Sequence, residues 1–143
     1  MIRRTSRLAA VVGCCAAAAA TCVTLAQAPV PRTVRDGVFS AAQVERGRGV
    51  FSSVCMDCHE IEEFTGVDAY LEEMEGENVW DVFEYIWAEM PEDYPASLEA
   101  EEYADVLAYI FSVWGLAAGD EDLPTKRAPL ESIVIARPER PGS

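Results

Sequence analysis

Cys55-Met56-Asp57-Cys58-His59 is the stretch on which the reading of this chain turns. Two cysteines three positions apart, with a histidine directly after the second, make the Cys-x-x-Cys-His pattern of covalent c-type haem attachment. The spacing puts both thiols on one turn of backbone, within reach of the two vinyl groups of one porphyrin. The adjacent imidazole is then free to ligate the iron. A close cysteine pair has two other common uses. A thioredoxin-like redox couple needs a βαβ setting, and a structural zinc site needs two further ligands. The sequence offers neither, so Cys55, Cys58 and His59 are read as the attachment site of one haem c.

Upstream of the motif the chain changes character. Arg3, Arg4 and Arg7 precede an uncharged, alanine-rich apolar run from Leu8 to Leu25, and Ala26-Gln27-Ala28 offers small residues for cleavage. Residues 1–28 therefore read as a secretory signal peptide cut near 26–28, and the mature chain as periplasmic. The apolar run is about 18 residues, at the short limit for a membrane span, so a retained anchor is not expected. A lipoprotein cut before Cys14 is the weaker alternative. Cys14, Cys15 and Cys22 fall inside this leader, which leaves Cys55 and Cys58 as the cysteines of the mature chain. Two cysteines so close together are no disulfide framework, and the haem use of both thiols is favoured.

The full chain of 143 residues carries a net charge of −14. Without the three leader arginines the balance is 8 basic residues against 25 acidic, about −17. A surface this acidic repels nucleic acid and anionic membranes. It serves solubility, or it steers the molecule onto a basic patch of a partner protein; composition alone leaves both open.

Three helices are expected. Residues 29–39 contain two prolines and no periodicity, and read as a linker. Ser40-Ala41-Ala42-Gln43 has the form of a capping box opening a helix to about Cys55, with Val44, Gly47, Val50, Phe51 and Val54 at helical spacing. Glu60 to Gly76 reads as mostly irregular, with a short helical turn within Asp68–Met74 that turns Tyr70, Leu71 and Met74 inward. Asn78 is a suitable N-cap for a helix to Met90, whose face is Val79, Val82, Phe83, Ile86, Trp87 and Met90. Trp80 lies off that face, where its N–H could reach a buried acceptor. Pro91 stops this helix, and Pro91 and Pro95 frame an extended loop. The third helix runs from Glu99 to Trp114, with Val106, Leu107, Tyr109, Ile110 and Val113 apolar and Gly115 past its end. Residues 125–143 form a tail in which Leu130, Ile133 and Ile135 could lie against the body.

A haem iron has two axial positions. His59 is the only histidine, and the only lysine, Lys126, is in the tail. Methionine is left as the partner for His59. Met1 is in the leader, and Met56 sits between the two thioether positions. Met74 and Met90 remain, and Met90 is favoured because Pro91 turns the chain away from the helix directly after it. A His/Met pair raises the potential relative to two histidines and leaves no open coordination position. That points to electron transfer and not to enzyme catalysis.

These residues resemble a bacterial class I c-type cytochrome, monohaem and His/Met ligated. Gly47, Phe51, Cys55, Cys58 and His59 carry the resemblance in the first helix and haem site, Met90-Pro91 in the sixth-ligand motif, and Glu101–Ile110 in the last helix. The resemblance covers 40–124, with 125–143 outside it. It implies an all-α fold of three main helices and loops around one covalent haem. It also implies that the first and last helices cross with Gly47 and Phe51 against Val106 and Tyr109. Its implied function is one-electron transfer between a periplasmic donor, such as a quinoprotein dehydrogenase, and a respiratory acceptor such as a terminal oxidase. The chain departs from the family in having Glu99 where a serine cap is common and Trp114-Gly115 where Asn-Gly is common. Trp80 lies where some relatives place a tryptophan near a haem propionate. The alternative function is a haem c sensor or enzyme subunit with an open or displaceable sixth ligand.

Overall fold

A computed structural model describes residues 31–66 and 69–139; the leader expected over 1–28 and the cleavage site lie outside the described residues. The architecture is mostly helical, with a minimal parallel strand pair. In chain order the elements are β1 (Arg32–Thr33), α1 (Ala41–Val54), α2 (Tyr70–Glu73), α3 (Val79–Glu89), α4 (Ala100–Trp114), α5 (Arg127–Glu131) and β2 (Ile133–Val134). Short 3₁₀ turns cover Cys55–Asp57 and Ile61–Phe64. No helix among the described residues is long and apolar enough to cross a membrane.

The fold is centred on α4. Tyr103, Ala104, Asp105, Val106, Leu107, Ala108, Ile110, Phe111 and Trp114 are all buried, so this helix is covered nearly all round. One apolar face was expected. A helix apolar on most sides belongs in the middle of a core, where each large side chain contributes roughly 1.5–3 kcal/mol by leaving water. Gly115 ends it at φ 106, a left-handed conformation that glycine adopts without a Cβ penalty. At the other end the Glu99 amide donates to Glu102 Oε2 at 2.9 Å, the reach-back half of a capping box, in which the third helical residue satisfies the amide of the cap.

α1 makes the largest helix–helix contact with α4, and Gly47 is what allows it. A Cβ at this position would stand 1.8 Å from the Asp105 carbonyl oxygen and 3.0 Å from Tyr109 Cβ. Gly47 therefore meets Tyr109, as the resemblance implied, and comes closest of all to the Asp105 backbone. Phe51 meets Tyr109 with ring centroids 5.4 Å apart, as implied. The Asp105 side chain is itself buried and takes two bonds from Arg46, at 2.8 and 2.9 Å. Arg46 also donates to Asp122 at 2.7 Å, and Ser40 Oγ donates to the same carboxylate. One guanidinium fork thus ties α1 to α4 and to the segment after it.

Only half of the expected capping box forms. Ser40 Oγ accepts from the Gln43 amide at 3.0 Å, but Gln43 does not reach back. Its side chain is 1% exposed and turns to the Leu123 backbone, accepting from the amide at 2.7 Å and donating to the carbonyl at 3.2 Å. A buried amide so paired leaves no unsatisfied polar group on either side.

The stretch read as a linker is packed from Val34 onward. Val34, Val38 and Phe39 belong to the core, and Phe39 meets Phe111 of α4 at 6.0 Å. The tail is equally integral. Leu130, Ile133 and Ile135 are buried, and α5 packs on α3. β1 and β2 pair in parallel, with Arg32 opposite Ile133 and Thr33 opposite Val134. On its other side the tail strand meets the approach to α3: Gly76 donates to the Ile135 carbonyl at 3.0 Å, and Ile135 donates to that of Glu77 at 2.8 Å. Arg137 adds ion pairs to Glu72 and Glu75, each at 2.6 Å. The result is a clasp in which the tail lies between the start of the domain and the segment leading into α3.

Candidate functional site

The cysteine motif begins where α1 ends. Cys55 caps the helix, and one 3₁₀ turn follows, with the Cys58 and His59 amides both donating to the Cys55 carbonyl at 3.2 and 2.9 Å. Phe51, one turn back, is held against Tyr109, so α4 fixes the end of the helix that presents the motif. Cys55 and Cys58 are free thiols. Cys55 is half-buried, and burial pushes its thiol pKa up to about 11; Cys58 is exposed.

His59 is the residue most firmly arranged. Its side chain is 28% exposed, and Nδ1 lies 2.9 Å from Glu63 Oε2. Glu63 is the last acid of the Ile61–Phe64 turn, and the Glu60 amide points at its other oxygen. The hydrogen bond with His59, foremost, holds the Glu63 carboxyl below the usual carboxylate range. With Nδ1 committed to a carboxylate, Nε2 is the nitrogen left to bind something else. Phe64 packs edge-on to the imidazole at 5.8 Å and to Phe51 at 5.5 Å, linking the ring to the α1–α4 contact. Sequence reading missed Glu63. A carboxylate four residues beyond the histidine was the available signal.

Met90 is the C-cap of α3, in extended conformation and half-buried. The expected α3 face is covered only in its first half. Val79, Val82 and Phe83 are buried, Ile86 and Met90 are half-buried, and Trp87 is 44% exposed. The expected inward turn of Tyr70 is also corrected. Leu71 is buried and Met74 half-buried, but Tyr70 is 55% exposed, because α2 is a single turn with room for one inward side chain. After Met90 the chain does not run on extended. Tyr94 donates back to the Pro91 carbonyl at 2.9 Å and Ala96 to that of Trp87 at 3.0 Å, so the loop doubles back on the end of α3. Both halves of the candidate site are referred to α4: the motif through Phe51 and Tyr109, and Met90 through a hydrogen bond from Tyr103. These two α4 positions are six residues apart, roughly 9 Å along the axis.

Trp80 stacks on Phe83 at 5.5 Å, with the Arg127 guanidinium 5.5 Å above its ring. Its indole nitrogen is buried and has no partner among the described residues. Among those residues, no three His, Cys, Asp or Glu side chains come together to hold a metal ion by themselves. No family model, curated protein or solved structure matches the chain.

Proposed function

We propose that the chain is a periplasmic one-electron carrier of the class I cytochrome c type. It would hold one haem c through thioether bonds at Cys55 and Cys58, with His59 and Met90 as axial ligands. The observation that carries this is the donor set of the motif. Two free thiols and an imidazole lie within one turn, and the imidazole's Nδ1 is held by Glu63 so that Nε2 is left for iron. Bound haem would supply a reversible one-electron couple at iron.

The protein's own residues supply the rest. Cys55 and Cys58 would anchor the group, and the Glu63 carboxylate would keep the His59 ring in one tautomer and one orientation. The Met90 thioether, at the end of α3, would be the second axial donor in preference to that of Met74. Closing both axial positions favours outer-sphere electron exchange over substrate binding, so no enzymatic activity is proposed. Trp80 offers a buried N–H for which a haem carboxylate is a suitable acceptor. Ile86 and Trp87 offer apolar surface that would keep water from a porphyrin.

The decisive test is the optical spectrum of mature protein produced with haem-attachment machinery, oxidised and reduced. Haem that survives denaturation, with a low-spin spectrum of nitrogen and sulfur ligation, is the expected result. Colourless folded protein rejects the proposal.

Partner choice follows from charge. Between Arg48 and Lys126 the chain has no lysine or arginine, so the whole segment carrying the motif, α3 and the Met90 loop lacks both of these cations. A redox partner with a basic docking patch, on a dehydrogenase or a terminal oxidase, is the complement. The rate of electron exchange with a cationic redox protein should fall steeply as ionic strength rises past about 0.1 M, where the Debye length shrinks to about 10 Å. A rate indifferent to salt removes electrostatic steering from the proposal.

A further inference from the structure

We propose that Tyr103 is a positioning residue for the Met90 thioether, and that its hydroxyl decides how firmly Met90 competes for the sixth coordination position. This rests on the reading of Met90 as an iron ligand. Tyr103 is 2% exposed, in the first turn of the central helix α4. Its ring meets Phe83 of α3 edge-on at 6.3 Å. Its hydroxyl donates to the Met90 carbonyl at 2.8 Å and accepts from the Leu98 amide at 3.4 Å. The loop that leaves α3 at Met90 therefore returns to the same oxygen at Leu98.

A phenol hydroxyl has one proton to give and lone pairs to receive, and here both capacities are directed at this one loop. Fixing the Met90 carbonyl fixes the peptide plane after it. With Met90 held at φ −122 and ψ 145, that sets the direction in which its Cβ leaves the backbone. The loop does not hold this shape for free. Ala96 sits at φ 57, a left-handed conformation that an alanine adopts only when its surroundings impose it. The Tyr103 hydroxyl at the mouth of the loop, and the bond from the Ala96 amide to the Trp87 carbonyl, are what impose it. With the hydroxyl in place, the thioether is presented from a fixed backbone and an added ligand must displace it at full cost. Without it, the loop mouth opens and displacement becomes easier.

The test uses holoprotein and imidazole as the probe ligand. In Tyr103→Phe the ring stays and only the hydroxyl goes. Ferric Tyr103→Phe should bind imidazole about tenfold more tightly than the wild type, the size expected for losing a buried hydrogen bond, and its reduction potential should fall. Phe39→Leu is the control. It thins the packing against Phe111, roughly 12 Å along α4 from Tyr103, and should leave imidazole affinity and potential unchanged. Equal imidazole affinity in wild type and Tyr103→Phe overturns the proposal, as does an equal gain in Phe39→Leu. A second readout needs no variant: the Leu98 amide of the wild type, bonded to the Tyr103 hydroxyl, should exchange slowly with solvent, and fast exchange overturns the proposal. If Met90→Ala binds imidazole no better than the wild type, the ligand reading itself fails and takes this proposal with it.

Discussion

Replacing Gly47 with alanine is expected to cost about 3 kcal/mol or more in folding stability. The new Cβ would lie 1.8 Å from the Asp105 carbonyl oxygen and 2.4 Å from its carbon. Both are backbone atoms in the middle of a buried helix, so relief requires α1 and α4 to move apart. Overpacking that forces backbone shifts costs typically 1–3 kcal/mol and sometimes more, against a total stability of about 5–15 kcal/mol for a domain. Separation would also draw Arg46 away from Asp105 and Phe51 from Tyr109, so one substitution loosens an ion pair and an aromatic contact together. Gly49 is the internal comparison. It lies on the same helix with nothing within 4 Å of a built Cβ, and alanine there should be neutral or stabilising by about 0.5–1 kcal/mol. Denaturation midpoints of the two variants check this, and similar midpoints would show that the close approach at Gly47 is not what the helix pair depends on.

Met90→Ala is expected to have the largest functional effect. If Met90 is the sixth ligand, the variant loses the sulfur contribution to the ferric spectrum, and the iron takes up water or an added ligand in its place. The potential should fall by on the order of 0.1 V or more, well within the roughly 0.8 V over which axial ligands move haem potentials. Covalent attachment should survive, because Cys55 and Cys58 are untouched. The fold should hold as well, since Met90 is only half-buried and its backbone bonds do not depend on its side chain. An unaltered spectrum and potential would leave Met74 to be tested next and would reopen the displaceable-ligand alternative.

The helices are largely legible in the sequence because their signals are local. Ser40 and Asn78 cap where expected, Glu89 ends α3 just before Met90-Pro91, and Gly115 ends α4. The clasp is not legible. Strands of two residues show no periodicity, and their partners lie at opposite ends of the chain. The roles of Gln43 and Asp105 are hidden for a related reason. A polar residue in a helix looks like surface until its partner is known, and Leu123 and Arg46 are remote in sequence. Burial on all sides of α4 is equally a property of the assembled domain, which a single-face reading cannot anticipate. At the candidate site the chemistry-bearing residues stand out by type and spacing. The groups that orient them, Glu63 and Tyr103, do not, because a carboxylate and a tyrosine are common and only their distances to His59 and Met90 distinguish them.

The clasp also imposes an order of events on the chain. Arg32 pairs with Ile133, so the first strand of the described domain waits for nearly the last. The segment before α3 waits for Ile135 as well. Contacts this far apart in sequence close late, since the entropy of the intervening loop is spent before they form. A chain that emerges N-terminus first exposes Cys55, Cys58 and His59 well before it delivers the strand that locks the body. If the motif takes haem as proposed, the interval between those two moments is the window in which it would be open to an attachment enzyme, before the domain around it closes.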